Sequence, residues 1–152
     1  MKKRNTGLFL LTFAATLAIS ALTVLPACSS GGGTNSSGSS QTTSGVSYSR
    51  DIQSLFNTYC VTCHQGAGQA GLSLEPASSY KNLVGAPSTE STTGELRVKA
   101  GAPDQSYLLA KLNGTQVAAG GSGAQMPLVG GPLSAAQINL VQQWITAGAP
   151  NN

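Results

Sequence analysis

Histidine occurs once in these 152 residues, at position 64, and charged residues make up only 9% of the chain. Cysteine is limited to three positions, methionine to two, and aromatic residues to 5%. Each scarcity excludes something. A single histidine forbids any site built from two imidazoles of one molecule. A structural zinc centre wants four ligands, and beyond residue 45 the chain offers only Cys60, Cys63 and His64 as cysteine or histidine ligands. Lys2, Lys3 and Arg4 stand at the extreme N-terminus. The five other bases, Arg50, Lys81, Arg97, Lys99 and Lys111, balance all five acids, Asp51, Glu75, Glu90, Glu95 and Asp104. A chain so balanced has no basic field for nucleic acid.

The N-terminus has its own composition. Met1-Lys2-Lys3-Arg4 is a basic cap, Leu8 to Leu25 is mostly apolar and uncharged, and Pro26-Ala27-Cys28 closes it. This order is that of an export signal. A retained membrane helix is the alternative, because the apolar run approaches spanning length. Both readings place the rest of the chain outside the cytoplasm, since the positive cap stays inside. The ending Leu25-Pro26-Ala27-Cys28 resembles the lipobox of bacterial lipoproteins. That resemblance implies a signal peptide over 1–27, lipidation of Cys28 and a membrane anchor. Ser29 in place of an inner-membrane retention aspartate favours the outer membrane in a two-membrane bacterium. A plain secreted protein with a spare thiol is the other possibility.

Ser29 to Gly45 is almost wholly Ser, Gly, Thr, Asn and Gln. Such a segment cannot bury apolar surface, so residues 28–45 are expected to form a tether with a root-mean-square reach of roughly 23 Å. One domain is expected over 46–152. Three helices stand out in it. Ile52, Leu55, Phe56 and Tyr59 make an i, i+3, i+4, i+7 stripe that runs into Cys60. Asp104 to Leu112 follows Pro103 and stops at Asn113-Gly114. The last helix starts at Ser134 with Gln137 three residues on, a capping box, and Gly148 and Pro150 close it. A shorter helix is expected between Pro76 and Val84. Leu96-Arg97-Val98 is too short to anchor a sheet, so the fold class is all-α.

Cys60-Val61-Thr62-Cys63-His64 reads C-x-x-C-H, the attachment motif of a c-type haem. Two thiols at this spacing match the two vinyl groups on one ring edge. The histidine that follows is placed under the iron. Three other uses compete for the same residues. A thioredoxin-like dithiol wants the motif after a strand, whereas a helix precedes it here. A zinc site lacks ligands, and adjacent Cys63 and His64 crowd one metal. A disulfide would strain so short a loop.

With His64 the sole imidazole, and Met1 in the signal, Met126 is the remaining candidate for the sixth iron ligand. It follows the glycine-rich run Gly120-Gly121-Ser122-Gly123-Ala124-Gln125 and precedes Pro127. That run is expected to be flexible enough to bring a thioether over the haem face, and Pro127 stiffens the exit. The bland alternative is a methionine filling core space. Arg97 is a candidate haem-propionate partner; a solvated pairing near Glu95 is the plainer reading. Tyr59, Tyr80 and Tyr107 read as core residues with wet hydroxyls.

The order of helix, C-x-x-C-H, long loop, Met-Pro and capped last helix resembles a class I cytochrome c. The wording is similar to small bacterial domains of the planctomycete-type cytochrome c family. The segments that carry this are Tyr48-Ser49-Arg50-Asp51-Ile52, Cys60 to His64, Arg97-Val98, Pro103 to Leu108, Gln125-Met126-Pro127, Leu133-Ser134 and Gln143 to Ala149. They cover nearly all of 46–150. The resemblance implies an all-α cytochrome c fold around one haem c, with first and last helices crossing and Phe56 meeting Trp144 there. It implies a one-electron carrier rather than an enzyme, its redox protein partners docking at the haem edge. A haem enzyme or gas-ligand sensor with a displaceable Met126 is the alternative.

Overall fold

The computed structural model describes residues 45–152. The expected signal peptide over 1–27, the lipidated Cys28 and the tether up to residue 44 lie outside the described residues. Within them every regular element is helical, and β pairing is confined to three isolated bridges, Val84–Val98, Pro87–Leu96 and Ser91–Gly121. No helix among the described residues is long and apolar enough to cross a membrane.

Ser47 begins the first helical stretch. Its hydroxyl accepts from the Arg50 amide at 3.4 Å, while its own amide donates to Asp51 Oδ2 at 2.8 Å. Two end groups are thereby satisfied reciprocally. The chain then makes a π-helical turn, Tyr48–Ile52, that runs on into α1, Gln53–Tyr59. Ile52, Leu55 and Phe56 are buried as the stripe requires. Tyr59 is not: it is 47% exposed, and its hydroxyl accepts from Gln137 Nε2 at 3.0 Å. The stripe therefore leaves the core at Tyr59, directly before the motif, while Cys60 and Val61 pack back against it.

The short helix α2 is Ser79–Leu83, tighter than the expected Pro76–Val84. The expected helix 104–112 is split. Pro103–Gln105 forms a 3-10 turn, Ser106 is extended, and α3 begins afresh at Tyr107–Asn113. The break has a local cause: the Ser106 hydroxyl donates to the Ala102 carbonyl at 2.9 Å and accepts from the Lys99 amide at 2.9 Å. A serine bonded this way competes with the helix ladder. Gly114 then ends α3 in the left-handed region, φ +74°, as the Asn-Gly stop anticipated. The last helix, α4 (Ala135–Thr146), carries the full Ser134/Gln137 capping box.

The two ends of the described chain close on each other. The Tyr48 amide donates to Asn152 Oδ1 at 2.8 Å, and the Ser49 amide to the Asn152 carbonyl at 2.9 Å. The first helical turn packs on α4, where the rings of Tyr48 and Trp144 lie 5.1 Å apart. Phe56 and Trp144 share one buried core, but the ring packed against Trp144, tilted by 37°, is that of Tyr48. Tyr48 also meets Tyr80 edge-on at 5.1 Å. These aromatic bodies, with Ile52, Leu83, Val98, Leu112, Val141 and Ile145, fill the core.

Candidate functional site

The motif sits on the turn that closes α1. Cys60 leaves helical geometry at φ −127°, and two bonds wrap the chain back over it: the Cys63 amide to the Cys60 carbonyl at 3.2 Å and the His64 amide to the same carbonyl at 3.0 Å. One turn thus gathers both cysteines and the histidine. Both are free thiols, Cys60 half-buried and Cys63 exposed. Burial, and then the neighbouring Cys63, pushes the Cys60 thiol up to about 11. A catalytic dithiol needs a depressed value. Cys60 is therefore the thiol held back from ionising by its burial.

The imidazole of His64 is oriented from behind. Its Nδ1 lies 3.2 Å from the Leu72 carbonyl. A carbonyl only accepts, so Nδ1 carries the proton toward it, and Nε2 is the ring nitrogen left to reach a metal. The main chain of His64 is held too, since its carbonyl accepts from the Leu74 amide at 2.7 Å. The segment 72–74 is in turn anchored to α1: Gln53 Nε2 donates to the Leu74 carbonyl at 2.9 Å. Gln53 Oε1 accepts from the Ser79 hydroxyl, which accepts from the Tyr48 hydroxyl at 2.6 Å. This buried chain of polar groups runs from the core to the back of His64, and nothing in the residue pattern of α1 announced it.

Met126 is half-buried against the same hydrophobic core that Cys60, Val61, Leu72 and Leu108 pack on. The glycine-rich run before it is not the loose loop its composition suggests. Tyr107 Oη accepts from the Ser122 amide at 3.2 Å, Gln116 Nε2 donates to the Gly123 carbonyl at 2.9 Å, and Gln125 Nε2 donates to the Leu112 carbonyl at 2.8 Å. The Met126 amide donates to the Lys111 carbonyl at 2.9 Å. Glycine serves close approach here: a Cβ on Gly121 would overlap the Tyr107 ring and hydroxyl.

A cavity of about 420 Å³ opens beside this run, walled by Gln125, Leu133, Ile138 and Asn139 among others. Gln125 precedes Met126. Ile138 follows Gln137, whose side chain holds the Tyr59 hydroxyl next to Cys60. The start of α4 thus contributes to this cavity wall and to the bond that holds Tyr59. The fit to a haem is good on the cysteine side: two unpaired thiols, a bare Nε2, and half-buried apolar side chains beside them.

Arg97 is committed elsewhere. It donates from Nη1 to the Asn82 carbonyl at 3.0 Å, and from Nη2 to the Ala70 and Gly71 carbonyls at 2.9 and 3.3 Å. Burial holds its guanidinium below its ordinary value, with the Glu90 charge opposing that effect. Any propionate contact competes with these carbonyls. The tyrosine hydroxyls find protein partners: Tyr80 donates to the Ala149 carbonyl at 2.8 Å and Tyr107 to the Ser122 carbonyl at 3.3 Å. Comparison with family models, curated proteins and solved structures finds no match to this chain.

Proposed function

We propose that residues 46–152 hold one covalent haem c and act as a one-electron carrier in a bacterial cell envelope. The observation that supports this most is Cys60-Val61-Thr62-Cys63-His64 on the turn closing α1, with both thiols unpaired and the His64 Nδ1–H donated to Leu72. Cys60 and Cys63 would hold the haem through thioether links, each S–H adding across one vinyl group with sulfur on one carbon and hydrogen on the other. His64 offers Nε2 to the iron, and the Leu72 carbonyl raises the basicity of that ring and fixes its plane. Met126 would supply a thioether as the second iron ligand, which would raise the reduction potential relative to a second imidazole. The bound haem supplies reversible one-electron exchange at its iron.

The chain contributes orientation and exclusion of water. Half-buried Val61, Leu72 and Leu108 give the ring apolar neighbours, and a dry setting strengthens the effect of each ligand. Were His64 and Met126 both to hold the iron, it would have no open position for a substrate. The surface is close to neutral, so docking with redox partners is weak and brief, with little electrostatic steering. Cys28 carries the lipid anchor, and the tether lets the domain move between a membrane donor and an outer acceptor.

The test is spectroscopic. Protein matured in a host with intact cytochrome assembly is expected to gain the mass of one haem and to show the weak near-infrared band of a ferric iron–thioether bond. Met126→Ala is expected to abolish that band and to lower the potential. A bare polypeptide from such a host would overturn the haem reading. A haem protein without the band, whose ferrous form binds carbon monoxide rapidly, would replace the carrier by a gas-binding or enzymatic haem protein.

A further inference from the structure

Lys111 is the one buried lysine among the described residues; Lys81 and Lys99 are exposed. Its side chain is only 7% exposed, and its ammonium is paired with Glu90 Oε2 at 3.0 Å. A charge taken out of water this far persists only where its partners are fixed. Those partners lie on two other segments. Besides Glu90, the Lys111 ammonium donates to the Ser122 carbonyl at 3.1 Å. Tyr107, one helical turn earlier on α3, brackets the same residue with its hydroxyl. The Lys111 main-chain carbonyl receives the Met126 amide at 2.9 Å. One residue therefore grips both ends of the segment Ser122–Met126, by its side chain at one end and its backbone at the other.

The Glu90 side is braced as well. The Thr92 amide and hydroxyl both donate to the Gly120 carbonyl, at 2.9 and 2.6 Å. The glycine-rich run is thus caught between the 90–92 loop and α3. Close approach is a condition of that arrangement: a Cβ on Gly123 would crowd Glu90 Oε1 and Lys111 Nζ.

We infer that Lys111, charge-paired with Glu90, is a positioning residue for Met126, so that a buried ion pair governs how firmly the thioether is held at the iron. The inference rests on reading Met126 as an axial ligand. Removal of the ammonium leaves Ser122 without one of its two holds and Glu90 with an unpaired charge. The run, still held by Tyr107, Gln116 and Gln125, loosens at its Ser122 end, and Met126 leaves the iron for part of the time. The ferrous iron becomes open to an added ligand in proportion to that fraction.

The experiment uses the full-length haem-loaded protein and three variants, Lys111→Leu, Lys111→Arg and Glu90→Gln. The readouts are the near-infrared thioether band and the rate of carbon monoxide binding to the ferrous form. Lys111→Leu is expected to lose most of the band and to bind carbon monoxide about tenfold faster. Glu90→Gln is expected to fall between it and the parent, because the ammonium keeps Ser122 but loses its counter-charge. Lys111→Arg is expected to restore the band. A parent with the band and a Lys111→Leu protein matching it in band and rate overturns the positioning role while leaving Met126 ligation intact. Should Lys111→Leu fail to accumulate, a Glu90→Gln protein indistinguishable from the parent overturns it equally. A parent without the band removes Met126 from the iron, and the inference falls with that ligand.

Discussion

His64 donates its ring Nδ1–H to the carbonyl of Leu72, 3.2 Å away across an eight-residue loop. The same loop returns a second bond, Leu74 amide to His64 carbonyl, at 2.7 Å. The imidazole is thereby held in plane and in tautomer without any side-chain partner of its own. Gln53, 6% exposed and bonded to the Leu74 carbonyl, anchors the end of this loop to α1, while Arg97 holds its 70 and 71 carbonyls.

Gln53→Leu is therefore expected to act at a distance from the motif. It leaves the Leu74 carbonyl and the Ser79 hydroxyl buried with fewer partners, at a cost of about 2–3 kcal/mol. The urea midpoint should fall accordingly. In the haem-loaded protein the reduction potential should shift as well, because the His64 ring loses its fixed backing. An unchanged midpoint and potential would remove Gln53 from any supporting role.

Tyr48 gives a pH dependence. Burial pushes its hydroxyl up to about 12, against a partly compensating bond to Ser79. The folded value lies above the unfolded value of about 10. The stability that Tyr48 contributes is therefore complete below pH 10. It is lost as pH rises from about 10 through about 12, by about 2–3 kcal/mol. Tyr48→Phe should lower stability at neutral pH by about 1 kcal/mol, through the lost Ser79 bond. It should also flatten the alkaline fall. Equilibrium unfolding of both proteins between pH 8 and 12 checks this, and a parent–variant gap that stays constant with pH would contradict it.

Cys28→Ala separates two kinds of attachment. With the anchor carried by Cys28, the variant should move from the membrane fraction to the soluble envelope fraction. Retention in the membrane fraction would favour an uncleaved apolar helix over 8–25 instead.

Much of the local structure was written in short-range pattern. The capping box at Ser134 and Gln137, the stop at Asn113-Gly114 and the buried faces of Ile52, Leu55 and Phe56 all follow from neighbours within one or two helical turns. So does the gathering of Cys60, Cys63 and His64, since a single turn brings them together. Propensity, capping and side-chain periodicity act over that range, and the order of residues sets them directly.

The rest depended on segments far apart in the chain. Composition made Gly120–Gln125 look loose, yet Tyr107, Lys111 and Gln116 pin it, because α3 lies against it and glycine lets the backbones approach. Arg97 carries no mark that its guanidinium will be taken up by the carbonyls of 70, 71 and 82. Trp144 meets Tyr48 across most of the domain's sequence because both rings are buried in one core, where Asn152 also bonds the first helical turn. Residue order specifies which groups can bond and how each short segment curls. Which distant carbonyl a buried donor reaches is set by packing, since every polar group shut away from water must find a partner among whatever chain the core has brought beside it.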